Sequence, residues 1–269
     1  AIESWLGPAE LANCGLGPDD ACNRNQPPSK IWAGTIKPMQ PYTFGTFIWD
    51  QAEEDVVCNR SKLYPCMQRE LVRSYREQFN ASMAFVAVQL PGYQTPGPND
   101  TIFEMRLAQA AGTMSIARSL VVPTYDDSCA EDAQNGCPHG NVHNVHKQPV
   151  GQRVALAVAN LSLRQDLIAS GPEATAVAVT AGSGSGVFVV TVTFSGTAGG
   201  LTFKATRNCT LCCGGAISDF DASADGVTWF SGGPASVVDG RTTAVRFQVT
   251  APKAPTVVRY TANNVYPQC

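Results

Sequence analysis

Nowhere in this sequence does an apolar run approach the roughly 18 residues that a membrane-spanning helix needs. The longest candidates, MAFVAVQL (83–90) and VFVVTVTF (187–194), have the length of strands. Basic clusters are missing as well. With a net charge of −3 and no Lys/Arg run, the chain has nothing with which to neutralise a phosphate backbone, and nucleic acid is excluded as a partner class. Charge of either sign is scarce at 15%, whereas hydrophobic residues make up 44%, so the composition is globular and not that of a disordered chain. A chain of 269 residues can bury a full core, as one large or two medium domains.

Histidine is the scarcest reactive residue. All three copies, His139, His143 and His146, fall in one segment, CPHGNVHNVHKQPVG (137–151). Their spacing would place them on one face of a helix, as in a zinc site. However, Pro138, Gly140, Asn141 and Asn144 break a helix there, and no H-E-x-x-H glutamate exists. The segment therefore reads as a polar loop, with no metal and no cofactor.

Cysteine is plentiful, at ten. No CxxC pair recurs with zinc-ribbon spacing, and CTLCC alone is too short to make a site. Cys14/Cys22, Cys58/Cys66 and Cys129/Cys137 are sequence neighbours, each enclosing a short polar segment. Cys209, Cys212, Cys213 and Cys269 remain, with their pairing open. Five N-x-S/T sequons accompany them, at Asn59, Asn80, Asn99, Asn160 and Asn208. An even cysteine count beside five sequons points to disulfides, glycosylation and an oxidising compartment, secreted or lysosomal. The chain opens at Ala1 with no leader of its own, the expected form of a cut or partial secretory polypeptide.

Periodicity divides the chain in two. Residues 1–30 are rich in Gly, Pro, Asn and Asp and read as irregular, disulfide-held chain. TFGTFIWD (43–50) reads as a buried strand. Leu63, Met67, Leu71 and Tyr75 recur every four residues, which predicts an amphipathic helix. MAFVAVQL is a continuous apolar run of the kind a parallel sheet buries on both faces. A helix opens at Thr101 with Glu104 three residues on, the capping-box pattern. SLVVPTYD (119–126) is another strand. After the histidine loop, Pro149 suits the first turn of a further helix. This alternation is α/β with parallel-sheet logic. Beyond about Ser170, helical periodicity gives way to Thr/Val-rich strands, a small all-β sandwich. We therefore expect domains at 1–168 and 169–269. AGSGSG (181–186) has Gly184 where a nucleophile elbow needs serine, so it reads as a hairpin turn.

In an open parallel sheet, ligands bind beyond the carboxyl ends of the strands. Two polar segments leave strands there: IWDQAEED (48–55) and the histidine loop. Asp50, Glu53, Glu54 and Asp55 could form a carboxylate pair or hold calcium, but they read more simply as a solvated loop. Trp5, Trp32 and Trp49 could line a sugar site, although tryptophan is buried by default.

IWAGTIKPMQPYTFGTFIWDQAEED (31–55) and NVHNVHKQPVGQRVALA (141–157) resemble two segments of the sialate O-acetylesterase family, one ending in W-Y-Q-G-E-S-N and the other running D-I-H-P-x-x-K-Q-x-V-G-x-R-L-A. IESW (2–5) is similar to that family's T-P-x-E-A-W. GGLTFKA, ADGVTWFSG and VVRYTANN look like its accessory domain. The resemblance implies an SGNH-hydrolase-like parallel sheet followed by a small all-β accessory domain, and removal of acetyl groups from sialic acids or other carbohydrates through a serine acyl-enzyme. It implies His143 as general base, with Gln51, Glu53 and Lys147 retained. It also implies three departures. The oxyanion-hole Asn is Asp55, the motif Gly is Ala52, and the triad Asp is Asn141. An ionised carboxylate cannot donate to an oxyanion, and one lost donor costs about 10²–10³ in turnover. A protonated Asp could donate, given a strongly raised pKa. An amide at Asn141 holds the imidazole without stabilising its cation. The family's nucleophilic serine lies upstream of T-P-x-E-A-W, so the resemblance implies a sheet lacking its first strands and nucleophile. The expected chain is thus catalytically degenerate by itself. The alternatives are an esterase whose nucleophile sits on a separate N-terminal piece, and a glycan-binding or structural subunit. Expected partners are an acetylated or sialylated glycan, an N-terminal chain that completes the sheet, or a second copy.

Overall fold

A computed structural model describes residues 1–22, 25–92, 101–125, 147–163, 167–197, 199–202, 220–238 and 241–260. The chain forms two compact units, Ala1–Cys129 with Gly136–Ser170, and Ala130–Asn135 with Gly171–Cys269.

The first unit is built on a three-stranded parallel sheet in the order β1 (Thr46–Asp50), β2 (Ala84–Val88), β3 (Ser119–Val122). Thr46 lies opposite Ala84, and Phe85 opposite Ser119. β2 is central and buried along its whole length, which is why its sequence is apolar at every position. Its side chains still alternate between two cores. Phe85 and Ala87 pack with α3 (Tyr64–Gln78) and α4 (Thr101–Met114). Val86 packs on the other face with Ala157 of α5 (Lys147–Ser162). α3 buries Met67, Leu71 and Tyr75, the stripe that the four-residue spacing predicts. Close approach of α4 to α3 needs Gly112, where a Cβ would run into the Gln68 side chain and the Pro65 backbone.

The amino-terminal stretch is more ordered than its Gly/Pro content suggests. A 3-10 turn at Ile2–Trp5 and α1 (Pro8–Asn13) replace the expected irregular chain. Pro8 sits in the first turn of α1, where its missing N–H costs nothing. Ile2 and Leu6 then enter the core. Tyr75 donates its hydroxyl proton to the Trp5 carbonyl at 3.0 Å. Here burial of apolar side chains overrides weak local propensity.

Two disulfides fasten this stretch, and they cross the sequence neighbours. Cys14 bonds Cys66 and Cys22 bonds Cys58, so neither Cys14/Cys22 nor Cys58/Cys66 is a bonded pair. The amino-terminal segment runs beside α3 and α2 (Glu53–Val57), which brings each of its cysteines to one on those helices' side. Cys129, Cys137, Cys209, Cys212, Cys213 and Cys269 lie outside the described residues.

The second unit has two antiparallel sheets, ordered β4-β5-β9-β8 and β10-β6-β7. The first contains β4 (Glu173–Ala181), β5 (Val187–Ser195), β8 (Ser236–Val238) and β9 (Arg241–Thr250). The second contains β6 (Phe220–Ser223), β7 (Phe230–Ser231) and β10 (Val257–Tyr260). Val190, Val192 and Phe247 from one sheet and Phe220 and Ala222 from the other share one core. Phe220 stacks on Phe247 with centroids 5.0 Å apart. The Gly/Ser run 182–186 is the β4–β5 turn, and Gly186 takes the φ of +72° that favours glycine.

The Cys22–Cys58 bond closes a 36-residue separation around the start of the sheet. Replacing both cysteines by serine should cost about 2–4 kcal/mol. A denaturant titration checks this, and an unchanged midpoint would show that the bond does not hold this segment.

Candidate functional site at the carboxyl edge of the parallel sheet

Because the three strands are parallel, Asp50, Val88 and Val122 all end at one edge. Gln51–Glu54, the segment after Gln89 and the segment 123–125 all lie beyond it. The described chain resumes at Lys147, whose charge acts on Asp50. Thr124 donates its hydroxyl to the Gln89 carbonyl at 2.5 Å, and Arg153 reaches the Pro123 carbonyl at 2.8 Å. His139, Asn141, His143 and His146 themselves lie outside the described residues.

Below the edge is a buried polar network. Asp55, on α2, is fully buried. Its Oδ2 accepts the Ile2 backbone N–H at 3.0 Å and Gln51 Nε2 at 2.7 Å. Oδ1 has no partner. The Gln51 carbonyl in turn accepts from Tyr64 Oη and from Gln109 Nε2, both at 3.0 Å. Tyr64 Oη also accepts Trp49 Nε1–H at 3.0 Å. Gln109 reaches the Val88 carbonyl at 3.2 Å and accepts the Leu90 N–H at 2.9 Å. One tyrosine and one glutamine therefore join the ends of β1 and β2. On the Asp55 side, Glu3 is also fully buried. It accepts the Cys22 N–H at 2.8 Å and pairs with Arg60 at 3.1 Å.

The electrostatics follow from burial. Desolvation pushes the Asp55 carboxyl up from 3.8 to about 6, against the opposing hydrogen bonds from Gln51 and Ile2, and the Glu3 charge adds to the rise. Burial, then the Asp55 charge, pushes the Tyr64 hydroxyl well above the usual phenol value, so it remains a donor. Burial and the neighbouring Glu53 charge raise Asp50 while Lys147 opposes them.

Several sequence expectations are corrected here. Of Asp50, Glu53, Glu54 and Asp55, Asp50 is exposed and Glu53 and Glu54 are half-buried, whereas Asp55 departs from the solvated-loop expectation. Residues 53–57 form α2, Asp55 is enclosed, and Glu53 accepts the Ala52 N–H at 3.0 Å. Trp49 is buried, and Trp5 packs edge-on to it at 5.4 Å. Trp49 belongs to the core, with Trp5 and Trp32 packed against it. Among the described residues, one group has metal-ligand spacing, Cys22, Glu54 and Cys58, and both its sulfurs are committed to the disulfide. Of the sequons, Asn80 donates to the Phe44 carbonyl at 3.1 Å and Asn160 to the Leu167 carbonyl at 2.8 Å. Asn59 is exposed, and Asn99 and Asn208 lie outside the described residues.

Sequence reasoning missed Tyr64 and Gln109. A signal existed for Gln109, because it interrupts the inward stripe of Ile102, Met105 and Ala108. A groove of about 490 Å³ elsewhere is lined by Arg69, Arg73, Arg76, Glu70 and Ser115. Arg76 there binds the Met83 and Ala117 carbonyls, just ahead of β2 and β3. That groove lies at the amino edge, away from the polar network.

No family model matches this chain, and no curated protein does. Among solved structures, a carbohydrate acetylesterase from Xanthomonas citri shares its fold, with a TM-score of 0.72 and 23% identity. The match covers 98% of this chain and 54% of that protein, so the chain spans about half its length.

The fold favours protonated Asp55, so its stabilising contribution is full below about pH 4 and is lost as pH rises through about 6. At pH 7.5 the ionised form costs on the order of 3 kcal/mol. Asp55→Asn should recover about 1–3 kcal/mol at pH 7.5 and flatten the decline between pH 4 and 7. Melting curves across that range would refute this if the variant kept the wild-type slope. Tyr64→Phe leaves the Trp49 N–H without its acceptor and should cost about 1–3 kcal/mol. A chemical denaturation curve that matches wild type would contradict it.

Proposed function

We propose that this chain is the acid–base part of a carbohydrate acetyl-ester hydrolase of the sialate O-acetylesterase type, inert toward esters by itself. The observation that carries the reading is the network of Asp55, Gln51, Tyr64 and Gln109 at the carboxyl edge, with Lys147, four positions after His143 in sequence, acting on Asp50 there. Burying so many polar groups is costly unless each is held, and here they fix the segments that would frame a substrate. The fold shared with an acetylesterase supports the same reading.

In this reading, His143 takes the proton of a serine hydroxyl as it attacks the acetyl carbonyl, and returns it to the departing sugar oxygen. Asn141 orients the ring. The serine comes from a further piece that adds to β1. That strand's outer edge pairs with nothing among the described residues, and its Ile48 is 48% exposed beside α5. While ionised, Asp55 offers no donor to an oxyanion, and its Oδ2 already accepts two hydrogen bonds. The two disulfides fit an oxidising compartment, secreted or lysosomal, and no described helix is long and apolar enough to cross a membrane.

A second reading, a non-catalytic glycan-binding protein, draws on the same engagement of Asp55. Acetate release from O-acetylated sialic acid and acetylated xylan separates the two. The chain alone should release none. Release should appear with a polypeptide that supplies the serine strand, and should fall at least about 100-fold in His143→Ala. Turnover by the isolated chain would refute the half-site reading. No turnover by any assembly would leave the binding protein.

A further inference from the structure

Four strands bound the two sheets of the second unit, and three of them are short. β7 has two residues, β8 three and β10 four. β4 has nine, and it pairs only with β5 among the described residues. Sheets guard long edges with lysine, proline or an inward charge, because an open row of N–H and C=O groups recruits another strand. EATAVAVTA (173–181) contains no lysine, arginine or proline, and its one charge, Glu173, stands at the end. Eight of its nine residues are exposed.

Register decides which groups are open. The Gly182 N–H reaches the Val187 carbonyl at 2.8 Å, on the same line that sets Ala178 opposite Thr191. Antiparallel pairs alternate between bonded and non-bonded positions. The backbone of Ala178 and Thr180 is therefore turned to β5, and that of Val177, Val179 and Ala181 faces the open edge. Val177 and Val179 lie opposite Val192 and Val190, on the core face. Val192 is 2% exposed, yet Val177 beside it is 43% exposed. The apolar face of this sheet thus continues to Val177, where its cover stops.

A second copy fits this edge. A twofold axis normal to the sheet keeps each side chain on its own face, so it pairs odd positions with odd and even with even. With the axis through Ala178, Val177 and Val179 exchange backbone bonds with Val179 and Val177 of the second copy. The valines then meet on the core face and cover one another. Glu173 of one copy lies opposite position 183 of the other, which keeps the two carboxylates about 34 Å apart at the usual rise per residue.

We propose that the chain self-associates through β4, antiparallel about a twofold axis at Ala178, joining two four-stranded sheets into one. The dimer is weak, because an edge of nine residues is small beside the roughly 1,600 Å² of a standard interface. It uses the second unit alone and requires no ester hydrolysis.

Sedimentation equilibrium of the full chain, from micromolar to millimolar, should show monomer passing to dimer and no further, since a twofold contact closes on itself. Val177→Lys puts a charge in the junction and should weaken association at least about 10-fold. Ala178→Cys sets one thiol opposite its mate, at a Cα separation of about 4.5 Å, within disulfide reach. Oxidised glutathione should link that variant into a dimer and leave Ala174→Cys, whose mate is distant, unlinked. Cross-linking decides the matter if Val177→Lys fails to fold. A chain that stays monomeric at every concentration overturns the proposal and leaves the edge to a different partner. Assemblies beyond a dimer, unchanged association of Val177→Lys, or linkage of Ala174→Cys in place of Ala178→Cys overturn it as well.

Discussion

The Asp55 carboxylate organises the first unit. One of its oxygens takes the backbone N–H of Ile2 and the side-chain amide of Gln51. The first contact seats the amino-terminal turn on the core, and the second fixes the segment that leaves β1. Gln51 then passes the constraint on through its carbonyl, which Tyr64 and Gln109 both reach. An isolated ionised carboxylate in such a place would be prohibitively expensive. Burial outweighs those two hydrogen bonds and, with the Glu3 charge, raises the carboxyl's pKa. Glu3, buried alongside and paired with Arg60, adds a second acid to the same region. The geometry of the sheet's carboxyl edge therefore depends on a buried carboxylate.

The fold is that of an acetylesterase over nearly the whole chain, which nevertheless spans about half of that protein. Parallel sheets are stable when covered on both faces. β2 is buried along its whole length, and β1 and β3 are the edge strands among the described residues. The second unit separately holds an ion pair and an indole on a face its own core does not use.

Much of the architecture was legible because single-residue periodicities dictate it. The four-residue spacing of Leu63, Met67, Leu71 and Tyr75 allows only a helix with one buried face, of which Met67, Leu71 and Tyr75 form the buried part. The unbroken apolar run at 84–88 allows a strand buried on both sides. The Gly/Ser run at 182–186 allows a tight hairpin. Site positions were legible to a lesser degree. Polar residues after β1 and after β3 must emerge at one edge once the strands are parallel, which follows from topology alone.

What the sequence could not settle were contacts between distant segments. Nothing local in IESW tells that Ile2 will donate to a carboxylate 53 positions away. Nothing local distinguishes Cys14–Cys66 and Cys22–Cys58 from the neighbour pairing, because a disulfide records which Cα atoms come within about 6 Å in the fold. An acidic run such as EED reads as solvated until packing encloses one of its members. By itself the sequence determined the element types, the α/β-then-β order and the residue types at the sheet edge, because each depends on short-range periodicity. Only the tertiary structure decided that Asp55 is buried, what it holds and which cysteines meet, because each of these depends on long-range packing that no local pattern encodes.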